Sequence, residues 1–239
     1  MPEPRAPFAS LILAIDTCGP SGSVALGRLP GRDLEILGQI ELAGRTYSAT
    51  VVSAIAELLK TAAVELRDLG GIVAVNGPGS FTGVRVGLSA VKGLAEGARI
   101  PVVAVSRLEV LARKAGAPSS ALDAHRGEVY LRLERRGSNP IELLAGLSEL
   151  AAAEAAPLRV AVCDDGAAAL LASAWPGAQL VRTPAPLAGD ALRLGEGRLV
   201  AGAAIDPALL DGHYLRRSDA EIFGTEVTQQ TGGTRSKKA

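Results

Sequence analysis

The sequence predicts an α/β fold made of two copies of one βββαβα unit, the second trimmed relative to the first. Three observations carry that prediction. Strand-length apolar runs alternate with segments of helical period, and an aspartate, Asp16 or Asp123, ends the first strand of each half. A strand running into a tight polar turn and then a helix recurs at the same place in both halves.

In the first half, LILAIDT (Leu11 to Thr17) reads as a strand, CGPSG as a turn and SVALGRL (Ser23 to Leu29) as a second strand. PGRD then turns the chain into LEILGQIEL, so three hairpin-linked strands precede a helix from about Thr46 to Leu66. GIVAV (Gly71 to Val75) is a buried strand of β-branched residues. After a glycine-rich loop, Val84, Leu88, Val91, Leu94 and Ala95 recur at helical spacing and predict a helix from about Thr82 to Gly97. PVVAV (Pro101 to Val105) closes a βββαβαβ unit with a mixed sheet.

The second half echoes the first. LAIDTCGPSGSVAL (Leu13 to Leu26) is matched by SALDAHRGEVYLRL (Ser120 to Leu133), and IVAVNGPGSF by RVAVCDDGAA (Arg159 to Ala168). The aspartate-to-turn spacing is 60 residues from Asp16 to Asn76 but 41 from Asp123 to Asp164. The shortening is therefore assigned to the third strand and first helix. TPAPL (Thr183 to Leu187), a helix from about Ala188 to Ala203 and LLDGHYLRR (Leu209 to Arg217) follow. Subdomains are expected over 1–106 and 107–217, with the last helix packing back on the first, and a disordered polar tail over 224–239.

Composition excludes several classes. The 239 residues carry 25 basic and 25 acidic side chains, so no bulk field drives the chain toward nucleic acid or membranes. Only 3% of residues are aromatic, so Ala, Leu and Val must build the core. Cys18 and Cys163 are too few for a disulfide scaffold and suit a reducing cytoplasm, as small residues at strand ends. The run Leu11 to Ile15 is too short for a signal peptide, and no apolar stretch reaches the roughly 20 residues of a membrane span.

The loop Asn76, Gly77, Pro78, Gly79, Ser80, Phe81, Thr82, Gly83, with Arg85 beyond it, packs three glycines and a proline into seven positions. Glycine admits a close neighbouring backbone, and proline stiffens the turn. Ser80 or Thr82 could cap the helix, leaving N–H groups for an anion or a partner's acceptor. Three strands precede the one that runs into this loop, and PVVAV ends at Ser106-Arg107, which rules out a dinucleotide fingerprint. There is no GxxxxGK[ST] run for a P-loop and no GxSxG frame around Ser80.

A duplicated βββαβα unit with an aspartate ending each first strand describes the actin-like ATPase (ASKHA, RNase H-like) fold. LAIDT followed by SVAL, the run GPGSFTGVRVGLSAVKGLA, LDAHRGEVY and a late YLR resemble the TsaB (YeaZ) family from about Leu11 to Arg217. GPGSFTG with an arginine two residues later is the most specific of these. Two positions depart from the family pattern: Tyr47-Ser48 stands where a His-Ser pair is common, and His125 is inserted in the DAR that usually precedes GEVY.

The resemblance implies a non-catalytic subunit of the machinery that forms N6-threonylcarbamoyladenosine at position 37 of tRNAs reading ANN codons. It implies pairing with the metal-holding paralogue TsaD, association with the ATPase TsaE, and a homodimer in isolation. tRNA would be met only through the complex. No cofactor of its own is implied, with ATP or ADP confined to the complex interface. It also implies a helical bundle between subunits. Val51, Ile55, Leu58 and Leu59 on the first helix, and Gly87, Ala90, Val91 and Leu94 on the second, are the expected interface. Glycines inside a helix cost about 1 kcal/mol each relative to alanine. Close approach of another backbone, from this chain's own sheet or another subunit, would offset that.

Chemistry remains to be weighed. Only His125 and His213 occur, far apart, so a His-pair metal site is excluded. Asp16, Thr17 and Asp123 could line a nucleotide cleft, with CGPSGS as its phosphate hairpin. This independent ATPase or kinase is the alternative, and a structural role for both aspartates, satisfying loop N–H groups, is favoured over it. Arg45, Arg85, Arg107, Arg126, Arg216 and Arg217 could form an RNA patch, though nothing in their spacing singles out RNA.

Overall fold

The computed structural model describes residues 10–29, 33–44, 46–135, 137–153 and 156–216. Arg45, Arg217 and the predicted tail over 224–239 lie outside the described residues.

The first sheet holds β1 (Leu11–Asp16), β2 (Gly22–Arg28), β3 (Glu35–Leu42), β4 (Leu69–Val75) and β5 (Val102–Val105) in the order β3-β2-β1-β4-β5. The second holds β6 (Ser119–His125), β7 (Glu128–Arg135), β8 (Ser138–Gly146), β9 (Arg159–Val162) and β10 (Gln179–Arg182) in the order β10-β9-β6-β7-β8. Each sheet thus reads third, second, first, fourth, fifth strand. In each, the first pair is antiparallel and the first and fourth strands are parallel. The duplicated, mixed-sheet actin-like fold is present.

All six residues of β1 are buried. Side chains alternate between the faces of a strand, so this pattern requires cover on both. α1 (Tyr47–Thr61) and α2 (Phe81–Ala98) pack together and against the first sheet, and α6 (Ala188–Val200) packs across β1, β2, β4 and β5. Two glycines let α6 approach: a Cβ on Gly195 would lie 2.4 Å from Val73, and one on Gly71 would lie 2.6 Å from Leu199. Ala188, Ala191, Leu192 and Leu199 accordingly belong to the first sheet's core. α5 (Asp165–Ala174) covers the second sheet together with α3 (Arg107–Ala115).

Of the two places to which the sequence assigns the trimming of the second unit, the structure shows one, the first helix, and corrects the other, the third strand. That strand, β8, is complete at nine residues; the shortening sits in the helix after it, α4 (Leu147–Ala151), five residues long. Pro140 hides β8 in the sequence, but β8 is an edge strand, where a missing backbone donor is tolerated. α1 also stops at Thr61, short of Leu66: Ala63 turns left-handed at φ 53° and a short 3₁₀ turn spans Leu66–Asp68. α3 carries no expectation from the sequence; Ser106 caps it by accepting from Leu108 N at 3.2 Å, and Gly116 ends it in the left-handed region.

Candidate functional site

The glycine-rich loop sits between β4 and α2, directly against the exit of β1. Ser80 N donates to Cys18 O at 2.8 Å, and a Cβ on Gly79 would lie 2.1 Å from that same carbonyl. Gly77, at φ 112°, takes a conformation that side chains resist, and its carbonyl accepts from Arg107 N at 2.7 Å. Ser80, rather than Thr82, is the cap of α2: its hydroxyl accepts from Gly83 N at 3.2 Å. Thr17 Oγ1 in turn donates to Gly83 O at 2.7 Å. The loop is therefore a joint tying β1, α2 and α3, and Ser80 N, one of the N–H groups an anion would need, is already used.

Asp16 ends β1 at 2% exposure. One carboxylate oxygen accepts from Cys18 N at 2.8 Å; the other faces Arg107 Nε at 3.4 Å. Arg107 is equally buried, and its Nε has no aligned hydrogen-bond acceptor, so the attraction is that of charge. Burial works against the Arg107 charge, but Asp16 above all raises its pKa overall. The CGPSG turn closes on this pair: a Cβ on Gly19 would lie 2.4 Å from Arg107 Nη2. Tyr47 Oη donates to Gly19 O at 2.8 Å, and burial followed by the Asp16 charge pushes the phenol up to about 12. Burial, then Asp16, likewise raises the Cys18 thiol well above its ordinary value.

The matching corner of the second unit is built differently. Asp123 accepts from His125 N at 2.7 Å and faces His125 Nδ1 at 3.1 Å, while its own N–H donates to Asp164 Oδ2 at 3.1 Å. His125 is 84% exposed in the β6–β7 turn. Each aspartate is thus engaged within its own corner. Among the described residues no three His, Cys, Asp or Glu side chains gather as a metal site would need.

The surfaces of α1 and α2 correct the expected interface. Val51, Ile55, Leu58, Gly87 and Val91 are buried in the chain's own core, so no partner can reach them. Gly87 answers to Thr17, whose Oγ1 would lie 2.2 Å from an added Cβ; Gly83 answers to Thr17 O at 2.1 Å. Gly93 and Gly97 meet nothing within 4 Å and are exposed. What the two helices still offer is Val52 at 58% exposure, with Leu59, Ala90 and Leu94 half-buried.

The segment 205–216 straps the two halves together. Ile205 pairs with Val102, and His213 N donates to Asn76 O at 2.7 Å. His213 Nε2 lies 2.8 Å from Glu142 Oε2, and Glu142 also accepts from Ser106 at 2.6 Å and Arg132 at 2.8 Å. Burial alone would raise the Glu142 carboxyl, but the bonds from His213, Ser106 and Arg132 hold it below the ordinary value. Arg216 pairs with Glu128. Tyr214 meets Phe81 at 4.9 Å between centroids, with the Arg85 guanidinium 3.7 Å over the Phe81 ring. Two recognition motifs far apart in the chain, GPGSFTG and YLR, therefore converge.

Arg107, Glu142 and His213 are the residues whose partners the sequence conceals. The one local signal for Arg107 is its place just past the end of the strand PVVAV, in the pair Ser106-Arg107. Its burial also removes it from the RNA patch of scattered arginines; Arg85 and Arg216 remain on one groove.

The family model described as TsaD, tRNA N6-adenosine threonylcarbamoyltransferase, matches residues 37–155. The Escherichia coli tRNA threonylcarbamoyladenosine biosynthesis protein TsaB is 38% identical over 136 residues, 54% of this chain and 57% of that protein. An uncharacterized Mycobacterium bovis protein is 31% identical over 216 residues, 89% of this chain and 94% of its own. The solved YeaZ of Pseudomonas aeruginosa is 27% identical with a TM-score of 0.69, covering 86% of this chain and 100% of that one.

The chain belongs to the TsaB (YeaZ) family. It spans about half the length of the named TsaB relatives it matches. Tyr47 and His125, where it departs from the TsaB pattern, have local duties here: Tyr47 fastens the CGPSG turn, and His125 pairs with Asp123. Among the described residues no helix is long and apolar enough to cross a membrane.

Proposed function

We propose that this chain is a non-catalytic, cytoplasmic subunit in the formation of threonylcarbamoyladenosine on tRNA, acting by binding a TsaD-type transferase. The observation that carries this is Asp16. The carboxylate that would position a metal-bound nucleotide is buried against the chain's own Arg107, with the turn that would hold phosphate closed over it. A fixed guanidinium at 3.4 Å competes with any metal for that carboxylate. The stretch matching the transferase model contains one histidine, His125, which supports loss of a His-pair metal site.

In this reading the surface of α1 and α2 around Val52, Ala90 and Gly93 meets the partner, or a second copy of the chain when the partner is absent. The ATPase TsaE, tRNA and any ATP or ADP join through that assembly. The test is reconstitution. The purified chain, given tRNA and threonylcarbamoyl-adenylate, should modify no adenosine until a TsaD-type partner is added; modification by the chain alone overturns the proposal. Calorimetry with Mg-ATP addresses the kinase alternative: micromolar binding by the isolated chain, lost in a folded Asp16→Asn variant, would establish it.

A further inference from the structure

We propose that the groove between α2 and residues 210–216 binds single-stranded RNA, one unpaired base stacking on Tyr214 and neighbouring phosphates lying along Arg85 and Lys92. The groove has a volume of about 800 Å³ and is walled by Phe81, Arg85 and Lys92 on one side and by Asp211, Tyr214 and Arg216 on the other. Phe81 is 37% and Tyr214 39% exposed, in a protein with very few aromatic residues. Exposed rings beside cations are the recurring platform for unpaired bases, because every base has a face to stack.

Arg85 supplies the second half of that chemistry. Its guanidinium carbon lies 3.7 Å from the centre of the Phe81 ring and 6.0 Å from that of Tyr214, cation–π contacts that hold the charge beside the groove. No carboxylate pairs with it among the described residues. Lys92 has only a long contact, 3.5 Å to Ala208 O. Arg216 pairs with Glu128 at the groove's far side. Asp211 is the one acidic side chain of the lining, beside these three cations. Ser89 and Asp211 offer hydrogen-bonding groups to a 2′-hydroxyl, the feature that marks RNA.

The arrangement favours a strand over a free nucleotide or an acidic peptide. Arg85 and Lys92 are two helical turns apart, about 10 Å along the axis, so they serve successive phosphates better than one. An acidic peptide would use the cations and leave the rings without a partner. The inference rests on the function proposed above and changes it in one respect: RNA meets this chain directly as well as through the assembly.

The test is fluorescence anisotropy of the full chain with a short labelled single-stranded RNA at low salt. Arg85→Ala and Tyr214→Leu are each expected to weaken binding about tenfold, since stacking and phosphate contacts are of that order per residue. Lys92→Gln should lower the salt dependence by about one released counterion. Both Arg85 and Tyr214 are exposed, and unchanged melting curves confirm that the variants fold. Wild-type affinity in Arg85→Ala and Tyr214→Leu overturns the proposal. So does displacement of the RNA by AMP or by a polyglutamate peptide at equal concentration, which would make the groove a mononucleotide or an acidic-protein site. Partner association, followed separately by size exclusion, should survive these variants; its loss would count against the α1/α2 interface instead.

Discussion

The two units place an aspartate at the same strand end and use it in opposite ways. Asp16 and Asp123 each accept the N–H two residues on, at 2.8 and 2.7 Å. Beyond that shared turn they diverge. Asp16 is sealed against Arg107, a residue from the far side of the glycine-rich loop, whereas Asp123 answers a histidine of its own hairpin that is 84% exposed. Duplication preserved the local bond, which needs only a short side chain at a strand end. It did not preserve the partner, because the partner comes from packing. The first corner became a tertiary bolt; the second stayed a turn.

That contrast is sharpest in stability. Asp16→Ala leaves Arg107 buried without its counter-charge and is expected to cost about 3–5 kcal/mol. Asp123→Ala removes turn hydrogen bonds at the surface and should cost about 1 kcal/mol. Urea unfolding of both variants measures the difference, and equal losses would break the comparison. The glycines of α2 divide by the same logic. Gly83→Ala forces a Cβ against Thr17 O and should destabilise by about 1–3 kcal/mol. Gly93→Ala, in open space on an exposed helix face, should stabilise by about 1 kcal/mol. Thermal melts of the pair carry opposite signs, and a Gly83→Ala variant as stable as wild type would dissolve the joint.

A smaller effect lies at the strap. The Glu142 carboxyl is held below its ordinary value in the folded chain, so the ionised form favours folding. That contribution is present above the unfolded value and is lost as pH falls from about 4.5 through the folded value. Glu142→Gln should therefore lower stability at pH 7 and flatten the acid limb of the stability profile; an unchanged limb would show that the strap is not fastened there. The smallest difference is in thiol reactivity. Cys18 is buried with its pKa raised well above the ordinary range by burial, then by Asp16, while Cys163 is partly exposed and less shifted. Mass spectrometry after brief alkylation of the native protein should find Cys163 modified first.

Much of the fold is legible because its signals are local. GIVAV and PVVAV are buried runs of the right length, and the α2 apolar positions recur at helical spacing. β8 escapes because Pro140 and Gly146 obscure its pattern, and only its place at a sheet edge makes that sequence acceptable as a strand. The interface expectation fails at Val51, Ile55, Leu58, Gly87 and Val91 for a related reason. Periodicity finds the apolar side of a helix but cannot say whether sheet or partner covers it, and here the chain's own sheet does.

By itself, the sequence determined the duplicated units, the turn at each aspartate, the glycine-rich joint and the family, since each depends on residues close together in the chain. Tertiary structure alone decided that Asp16 meets Arg107, that Thr17 is what Gly83 and Gly87 make room for, and that Glu142 and His213 fasten the two halves. It also decided that Phe81, Arg85 and Tyr214 share one groove. Those pairings join positions far apart in the chain, and they exist because two sheets and a returning C-terminal segment bring them together.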